Sequence, residues 1–237
     1  MGLVFLSSAA ARADCGAIWS SGAIDVTAGG SLTNIKPAPI TNPSGKVIGA
    51  LFSPTDPGLP AQLPVYVLMD ALRAHRLVTV QASAIRVDAP LDVSQAGGGR
   101  RLTLSTDLGG LVTGAIVLGA TINLAASDQI YLRGGAVDQC APPAGNSDSL
   151  RGGHVAINAY EGVGLHSTPL PQLIVANLTG FSLYAEGGYG ATIVSAGALP
   201  LEEFDRGQPL GQDAILVSGK LQIQINPPPV ATHRRRR

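Results

Sequence analysis

Acidic side chains within or beside short β-like segments are the first candidates for chemistry in this sequence: Asp88, Asp92, Asp107 and Asp128. Asp88 and Asp107 are separated by nearly one period of the repeat described below, so they could lie almost above each other. Two carboxylates at that distance would repel, raise the pKa of one of them, or bind calcium. Paired carboxylates are also the groups with which most glycosidases cleave polysaccharides. Because an aspartate at a turn usually bonds its own backbone, we expect turn-bonding or solvent-facing roles, with a carbohydrate or calcium contact at Asp88 and Asp107 as the alternative.

Two histidines form the second candidate group. His154 and His166 flank Glu161, and a neutral histidine beside a carboxylate could act as a general base. However, His154 follows two glycines and His166 precedes Ser-Thr-Pro, which indicates that both lie at turns. The sequence contains no G-x-S-x-G motif, no cysteine or histidine grouping with metal-ligand spacing, and no phosphate-binding glycine loop. It therefore predicts no catalytic site, no metal and no cofactor.

Aromatic side chains lie beside one of two glycine runs. The runs at 97–99 and 187–188 indicate tight corners, where positive φ angles are required. Phe181, Tyr184 and Tyr189 lie close to the second run. An aromatic patch can stack on sugar rings, whereas packing in the core or at an end of the fold is the other interpretation. Tyr184 and Tyr189 are therefore candidate carbohydrate contacts.

The elements that position these residues must be built from small aliphatic side chains. Aromatic residues make up 4% of the chain, charged residues make up 14%, and the mean hydropathy is +0.25. This composition is too apolar for a disordered chain. Lys and Arg total 16, as do Asp and Glu, so no net charge would attract nucleic acid. No apolar run reaches the roughly 18 residues of a membrane helix, so we expect no membrane span.

The N-terminus and the cysteines bear on the compartment. Residues 1–13 are apolar and end in Ala-Arg-Ala, a cleavage-site pattern that makes them a candidate signal segment. An apolar first strand is the alternative, because no basic residues precede the apolar stretch. In an exported chain, the even count of 2 cysteines predicts a disulfide between Cys15 and Cys140, against the alternative of two separate buried thiols. We expect an extracellular or cell-surface location.

Residues 14–76 read as an irregular N-terminal flank or cap. Turn signals divide this region into short β-like runs. Within it, only residues 65–76 show apolar side chains at helical spacing. We therefore expect one short helix immediately before the regular part of the fold.

Residues 77–226 alternate apolar and polar side chains in short strands, which begin near positions 78, 102, 122, 155 and 181. A period of roughly 20–30 residues predicts a parallel β-solenoid, in which turns bury their apolar rows by stacking on one another. A β-sandwich is the alternative. Residues 134–153, rich in glycine, proline and polar side chains, should form an insertion. Residues 227–237 should form a disordered tail of proline and arginine.

The segment from Met69 to Leu132 contains a sequence pattern that resembles a known family. The pattern consists of ALRAHRLVTVQA, then IRVDAPL, then LTLS, and weaker matches to it follow later in the chain. It resembles the β-helix repeats of filamentous-haemagglutinin-type exoproteins, which are surface adhesins secreted by the two-partner route. The resemblance implies a right-handed parallel β-helix in an exported, surface-related setting. Asn42-Pro43 alone approaches the Asn-Pro motif of the family's secretion domains.

These observations predict an all-β protein that acts by presenting or joining surfaces and not by catalysis. The first hypothesis is an exported structural or adhesive solenoid that contacts a surface glycan or protein. The second is a polysaccharide-binding or polysaccharide-cleaving β-helix protein. The third is a phage or extracellular fibre subunit that self-associates through the ends of the solenoid, where strand edges must be capped or paired.

Overall fold

The computed structural model describes residues 21–109, 112, 114–140, 148–167, 172–185, 189–202 and 215–226. Within these ranges the chain forms parallel stacked coils, a β-solenoid of about 5 turns with little helix. The predicted all-β solenoid is therefore confirmed, and the β-sandwich is excluded. The candidate signal segment 1–13, Cys15 and the tail 227–237 lie outside the described residues.

The described strands, in chain order, are β1 (Ile24–Thr27), β2 (Ala38–Thr41), β3 (Val47–Phe52), β4 (Ala61–Pro64), β5 (Leu77–Gln81), β6 (Ile85–Val87), β7 (Leu91–Asp92), β8 (Arg101–Ser105), β9 (Ala115–Leu118), β10 (Ile122–Asn123), β11 (Gln129–Gln139), β12 (Leu150–Arg151), β13 (His154–Val163), β14 (Leu173–Ala176), β15 (Gly180–Ala185), β16 (Ala191–Ala196), β17 (Ile215–Val217) and β18 (Leu221–Asn226). Helix α1 spans Val65–Ala74, and a 3₁₀ helix spans Val93–Ala96.

The strands form three parallel stacks, because each turn of the coil contributes one segment to each stack. Stack A contains β3, β5, β8, the first halves of β11 and β13, β15 and β17. Stack B contains β4, β1, β6, β9, the second half of β11, the end of β13, and the starts of β16 and β18. Stack C contains β7, β10, β12, β14 and the ends of β16 and β18.

One strand start in the predicted repeat belongs to a different stack from the others. The starts near 78, 102, 155 and 181 fall in stack A, where Leu102 pairs with Ile130. Ile122 pairs instead with Leu91 and Leu150 in stack C. The error arose because short apolar–polar–apolar segments occur in all three stacks, so their pattern does not say which stack a segment joins.

The predicted insertion at 134–153 is also wrong in its bounds. Residues 134–139 continue β11 and pair with β9 and β13, with a register shift after Gly134. Leu150–Arg151 is β12, in stack C. Small residues at 134–136 indicated a loop, yet here they let one strand pass from stack A into stack B while it stays paired.

The solenoid begins well before residue 77, which corrects the predicted flank of 14–76. β3 pairs in parallel with β5, and β4 pairs in parallel with β1, which in turn pairs with β6. β1 alternates apolar and polar residues, but the flank shows no regular period, because its short strands are separated by irregular turns and by an antiparallel hairpin between β2 and β3.

The predicted helix is confirmed, two residues shorter than expected. Pro64 precedes α1 in an extended conformation, and His75 ends it with φ −131°. Leu68, Met69 and Leu72 form the buried face, as their spacing predicted. α1 follows β4 at the point where later turns form stack C, and it packs against the 3₁₀ helix after β7. No helix among the described residues is long and apolar enough to cross a membrane.

The core is a column of aliphatic side chains that point inward from the three stacks. In stack A, the fully buried residues in register are Val78, Leu102, Ile130, Val155 and Phe181. A narrow interior of this kind suits small branched side chains, which explains the low aromatic content of the sequence.

Ile130 tests this packing directly. Ile130→Ala should lower the free energy of unfolding by about 2–5 kcal/mol, because it opens a cavity between two fully packed turns. Thr103→Ala, on the outer face of the neighbouring strand, is the matched control and should cost about 0.5 kcal/mol or less. Urea unfolding measures both variants. Equal costs would contradict the inward orientation of Ile130.

The predicted disulfide stays a prediction. Cys140 is buried directly after β11, and Cys15 lies outside the described residues. If the bridge forms, titration of the denatured, unreduced protein should detect no thiol. Detection of 2 thiols, one for each cysteine, would show that the bridge is absent.

Candidate functional site: outer faces of the stacks

Asp88 lies at the end of β6 and belongs to a charged cluster on the outer face of stack B. Its Oδ1 atom accepts a hydrogen bond from the Nε atom of Arg86. Asp25 on β1 lies opposite Arg86 in the register. Burial, then the negative charge of Asp88, raises the pKa of Asp25 to about 6, and Arg86 partly opposes this. Asp25 was missed by the sequence analysis, because β1 lies outside the region that was expected to repeat.

Asp107 lies elsewhere, so the structure does not bring the two expected carboxylates together. Asp107 follows β8 in stack A, whereas Asp88 follows β6 in stack B. The Oδ2 atom of Asp107 is 2.7 Å from the Nη2 atom of Arg133 on the next turn, and its Oδ1 atom accepts a hydrogen bond from the backbone N–H of Gly109 at 3.0 Å. These contacts hold a turn to its neighbour. No group of three or more His, Cys, Asp or Glu side chains placed to bind a metal ion occurs among the described residues.

Asp92 and Asp128 are bonded within the structure. Asp92 accepts hydrogen bonds from Ser94 and, at 2.9 Å, from the side chain of Asn123 on the next turn. Asp128 is fully buried and accepts backbone N–H bonds from Ala125 at 2.8 Å and from Arg100 at 2.9 Å. A buried carboxylate that accepts two backbone N–H bonds stabilises a turn, which is the role that the sequence analysis expected for an aspartate in this position.

Each of the two candidate histidines, His154 and His166, pairs with a carboxylate other than that of Glu161. The Nδ1 atom of His154 lies 2.8 Å from Oε2 of Glu202, which reaches across Gly180 from a later turn. A Cβ atom at Gly180 would occupy the space of that carboxylate, so a larger residue there would displace the Glu202 side chain from His154.

The second histidine pair links β11 to the turn after β13. The backbone N–H of His166 donates to Oδ1 of Asp138 at 2.9 Å, and its Nδ1 atom lies 3.3 Å from Oδ2. Burial raises the pKa of Asp138, while the contacts with His166 lower it in part. His166 is largely exposed and Asp138 is buried, so the pair attaches a surface turn to a buried carboxylate.

The predicted aromatic group is divided by the sheet. Phe181 points into the core and is fully buried, while Tyr184, three residues later, lies on the outer face of β15. Tyr189 is exposed beyond the strand. Phe181 therefore has a packing role, and the interpretation as a carbohydrate contact is restricted to the two tyrosines.

A different set of residues joins Tyr184 on the outer face of stack A. Arg133, Asn158 and Tyr184 are cross-strand neighbours on three successive turns. Tyr131 lies beside them, and its hydroxyl oxygen accepts a hydrogen bond from Nδ2 of Asn158 at 3.4 Å. All four side chains are half-buried, with one side toward solvent. We call these four residues the tyrosine strip.

The tyrosine strip has a simple origin in the strand pattern. Its members occupy outward positions in β11, β13 and β15, between fully buried neighbours such as Leu132 and Ile157. Asp107 fixes Arg133 from the preceding turn. The signal in the sequence was a tyrosine at an outward position in each of two strands, Tyr131 in β11 and Tyr184 in β15. Because the strand start near 122 was placed in the same stack as the others, the sequence did not show that β11 and β15 lie close together.

Comparisons with protein-family models, with curated proteins and with solved structures found no match for this chain. The fold agrees with a β-helix repeat protein. It therefore supports the coarse part of the resemblance drawn from residues 69–132, the stacked β-helix repeat itself.

Proposed function

We propose that this protein is an exported structural or adhesive β-solenoid module that presents its lateral surface to a surface glycan, in the manner of the filamentous-haemagglutinin-type repeats that it resembles. The observation that carries the proposal is the tyrosine strip. The regular stack holds two aromatic rings, an amide and a guanidinium at fixed positions on one face. Export is supported by the candidate signal segment and by the pair of cysteines.

The chemistry of the tyrosine strip favours a glycan over other ligands. Adjacent strands in a sheet are about 4.8 Å apart, so β11 and β15 are separated by about 10 Å, roughly two sugar rings of an extended chain. Tyrosine rings can stack on the apolar faces of sugars. The amide of Asn158 can bond hydroxyl groups, and Arg133 can bond the carboxylate of an acidic sugar.

The acidic residues support binding over cleavage. Asp92, Asp107 and Asp128 are each bonded to groups of the protein that hold turns in place. Asp88 and Asp107 lie in different stacks, so they do not form the acid–base pair that most glycosidases require.

Calorimetric titration with neutral and uronic-acid-containing oligosaccharides tests the proposal. Tyr131→Ala and Tyr184→Ala should each weaken binding by about tenfold, because each removes one stacking surface. Tyr66→Ala is the matched control, since Tyr66 is an exposed tyrosine on α1, and it should bind like the wild type. Absence of binding, or an equal loss in all three variants, would contradict the proposal. If the wild-type protein cleaves the oligosaccharide and either Asp88→Ala or Asp107→Ala abolishes the cleavage, the enzyme alternative is favoured.

A second candidate function, assembly through an end of the solenoid, is favoured by the difference between its two ends. At the N-terminal end, β2 covers β3 in antiparallel register, and Thr33 exchanges backbone hydrogen bonds with Gln62 at 3.1 and 3.0 Å. Pro37 and Pro39 remove N–H donors from this outermost segment, which protects it against further pairing.

At the C-terminal end, no described segment covers the last described turn in a comparable way. Among the described residues, β18 pairs only with β16, and β17 only with β15. Leu216, Leu221 and Ile225 are 45%, 42% and 55% exposed. Exposed apolar side chains at this end, with a capped opposite end, favour pairing of two copies through their C-terminal ends, and not an unlimited fibre.

Light scattering after size-exclusion chromatography tests this assembly. The protein should form a dimer at high concentration, and Ile225→Lys should shift it to monomer because it places a charge at the apolar contact. Val47→Lys is the matched control at the N-terminal end and should leave the dimer intact. A wild-type protein that is monomeric at all concentrations, or one that forms filaments, would contradict the end-to-end dimer.

A further inference from the structure

Strand β1 occupies an unusual place in the solenoid. It lies between β4 and β6 in stack B and is parallel to both. No strand takes the corresponding place in stack A, where β3 pairs directly with β5. The continuous coil that runs from β3 onward therefore does not include β1, which is an extra strand supplied by an earlier part of the chain.

Backbone hydrogen bonds hold both edges of β1. Toward β4, the N–H of Ala61 donates to the carbonyl of Ala23 at 2.9 Å. Toward β6, the N–H of Ile24 donates to the carbonyl of Ala84, and that of Asp88 to the carbonyl of Val26, both at 2.9 Å. Ile24 and Val26 are buried in the core. If β1 left, a slot one strand wide would open between two turns, lined by unpaired N–H and C=O groups.

The outward side chain of β1 is poorly accommodated as an anion. The Oδ1 atom of Asp25 is buried and has no hydrogen-bond partner among the described residues. On the β4 side, Asp25 faces Gln62, and β4 contains no titratable residue. On the β6 side, it faces Arg86 and, beyond it, Asp88. Arg86 is bonded to Asp88, so its positive charge is shared between two carboxylates.

We propose that the partly buried Asp25, opposite Arg86 and with an unpartnered Oδ1 atom, makes the insertion of β1 dependent on pH: β1 is held firmly between its two turns in mildly acidic solution and opens more readily near neutral pH. When Asp25 is protonated, its hydroxyl can donate to the Asp88 carboxylate. When it is ionised, a buried oxygen lacks a donor and two carboxylates repel each other across the junction of β1 and β6.

The direction of the effect follows from proton linkage. Burial and the charge of Asp88 raise the pKa of Asp25 from 3.8 to about 6 in the folded chain. The inserted strand therefore binds the proton more tightly than the released strand does. This contribution to stability is fully present below the pKa of the released state and is lost as the pH rises through about 6.

Hydrogen exchange followed by mass spectrometry tests the proposal on the intact wild-type chain. After correction for the intrinsic rates, a peptide that covers residues 22–27 should open on the order of tenfold more often at about pH 7.5 than at about pH 5. A peptide that covers β8, in the middle of stack A, should open equally at both pH values. Equal opening of residues 22–27 at the two pH values would overturn the proposal.

Two substitutions separate Asp25 from other causes of pH dependence. Asp25→Asn keeps the shape of the side chain and removes its titration, so residues 22–27 should exchange slowly at both pH values. Asp92→Asn is the matched control, an exposed aspartate on the outer face of stack C, and should keep the wild-type ratio. If Asp25→Asn does not fold, Asp88→Asn removes the repulsion but leaves Asp25 buried, so it should reduce the ratio without abolishing it. A wild-type ratio in folded Asp25→Asn, or in folded Asp88→Asn, would overturn the proposal.

Discussion

The structure depends on backbone hydrogen bonds between successive turns. A single turn of three short strands has no partner within itself for the edges of those strands, and it cannot bury its own apolar row. Stacking solves both problems at once, because each strand pairs with the strand above and below it while the inward side chains pack on each other. Val78, Leu102, Ile130 and Val155 show both effects, because they pair in register on successive turns and their side chains are fully buried.

The same constraint divides the polar residues into two kinds. Some bond across turns and fix the corners of the coil, as Asp128 does for two backbone N–H groups and Asp107 does for Arg133. Others stand on the flat outer faces, where the backbone makes no demand on the side chain. The rings of Tyr131 and Tyr184 in the tyrosine strip belong to this second kind, which is why we propose that they contact a ligand. Asp25 is an exception, because it faces outward yet is partly buried against a like charge.

Much of the fold could be predicted from the sequence, because the alternation of apolar and polar residues and its recurrence along the chain can be seen without knowing any contact. The helix at Val65–Ala74 was visible for the same reason, in the spacing of Leu68, Met69 and Leu72. The stack to which a strand belongs was harder to predict. Ile122 and Ile130 lie in similar short patterns, and only the pairing with Leu91 or with Leu102 distinguishes them.

The candidate sites were less predictable, because they depend on contacts between residues that are distant in the chain. Asp25 has no distinctive neighbours in sequence, and it gains its properties from Arg86 and Asp88 on another turn. The tyrosine strip likewise required the correct pairing of β11, β13 and β15. Acidic residues near the repeats were found readily, but their bonding partners could not be read from spacing alone.

Backbone NMR contacts in the wild-type protein test the central claim, the parallel stacking of turns, most directly. The account predicts cross-strand contacts between the backbone protons of residues 101–105 and those of residues 129–133 in a parallel pattern. Close Hα–Hα contacts between residues 102–104 and 122–124, which are typical of an antiparallel pair, would contradict it.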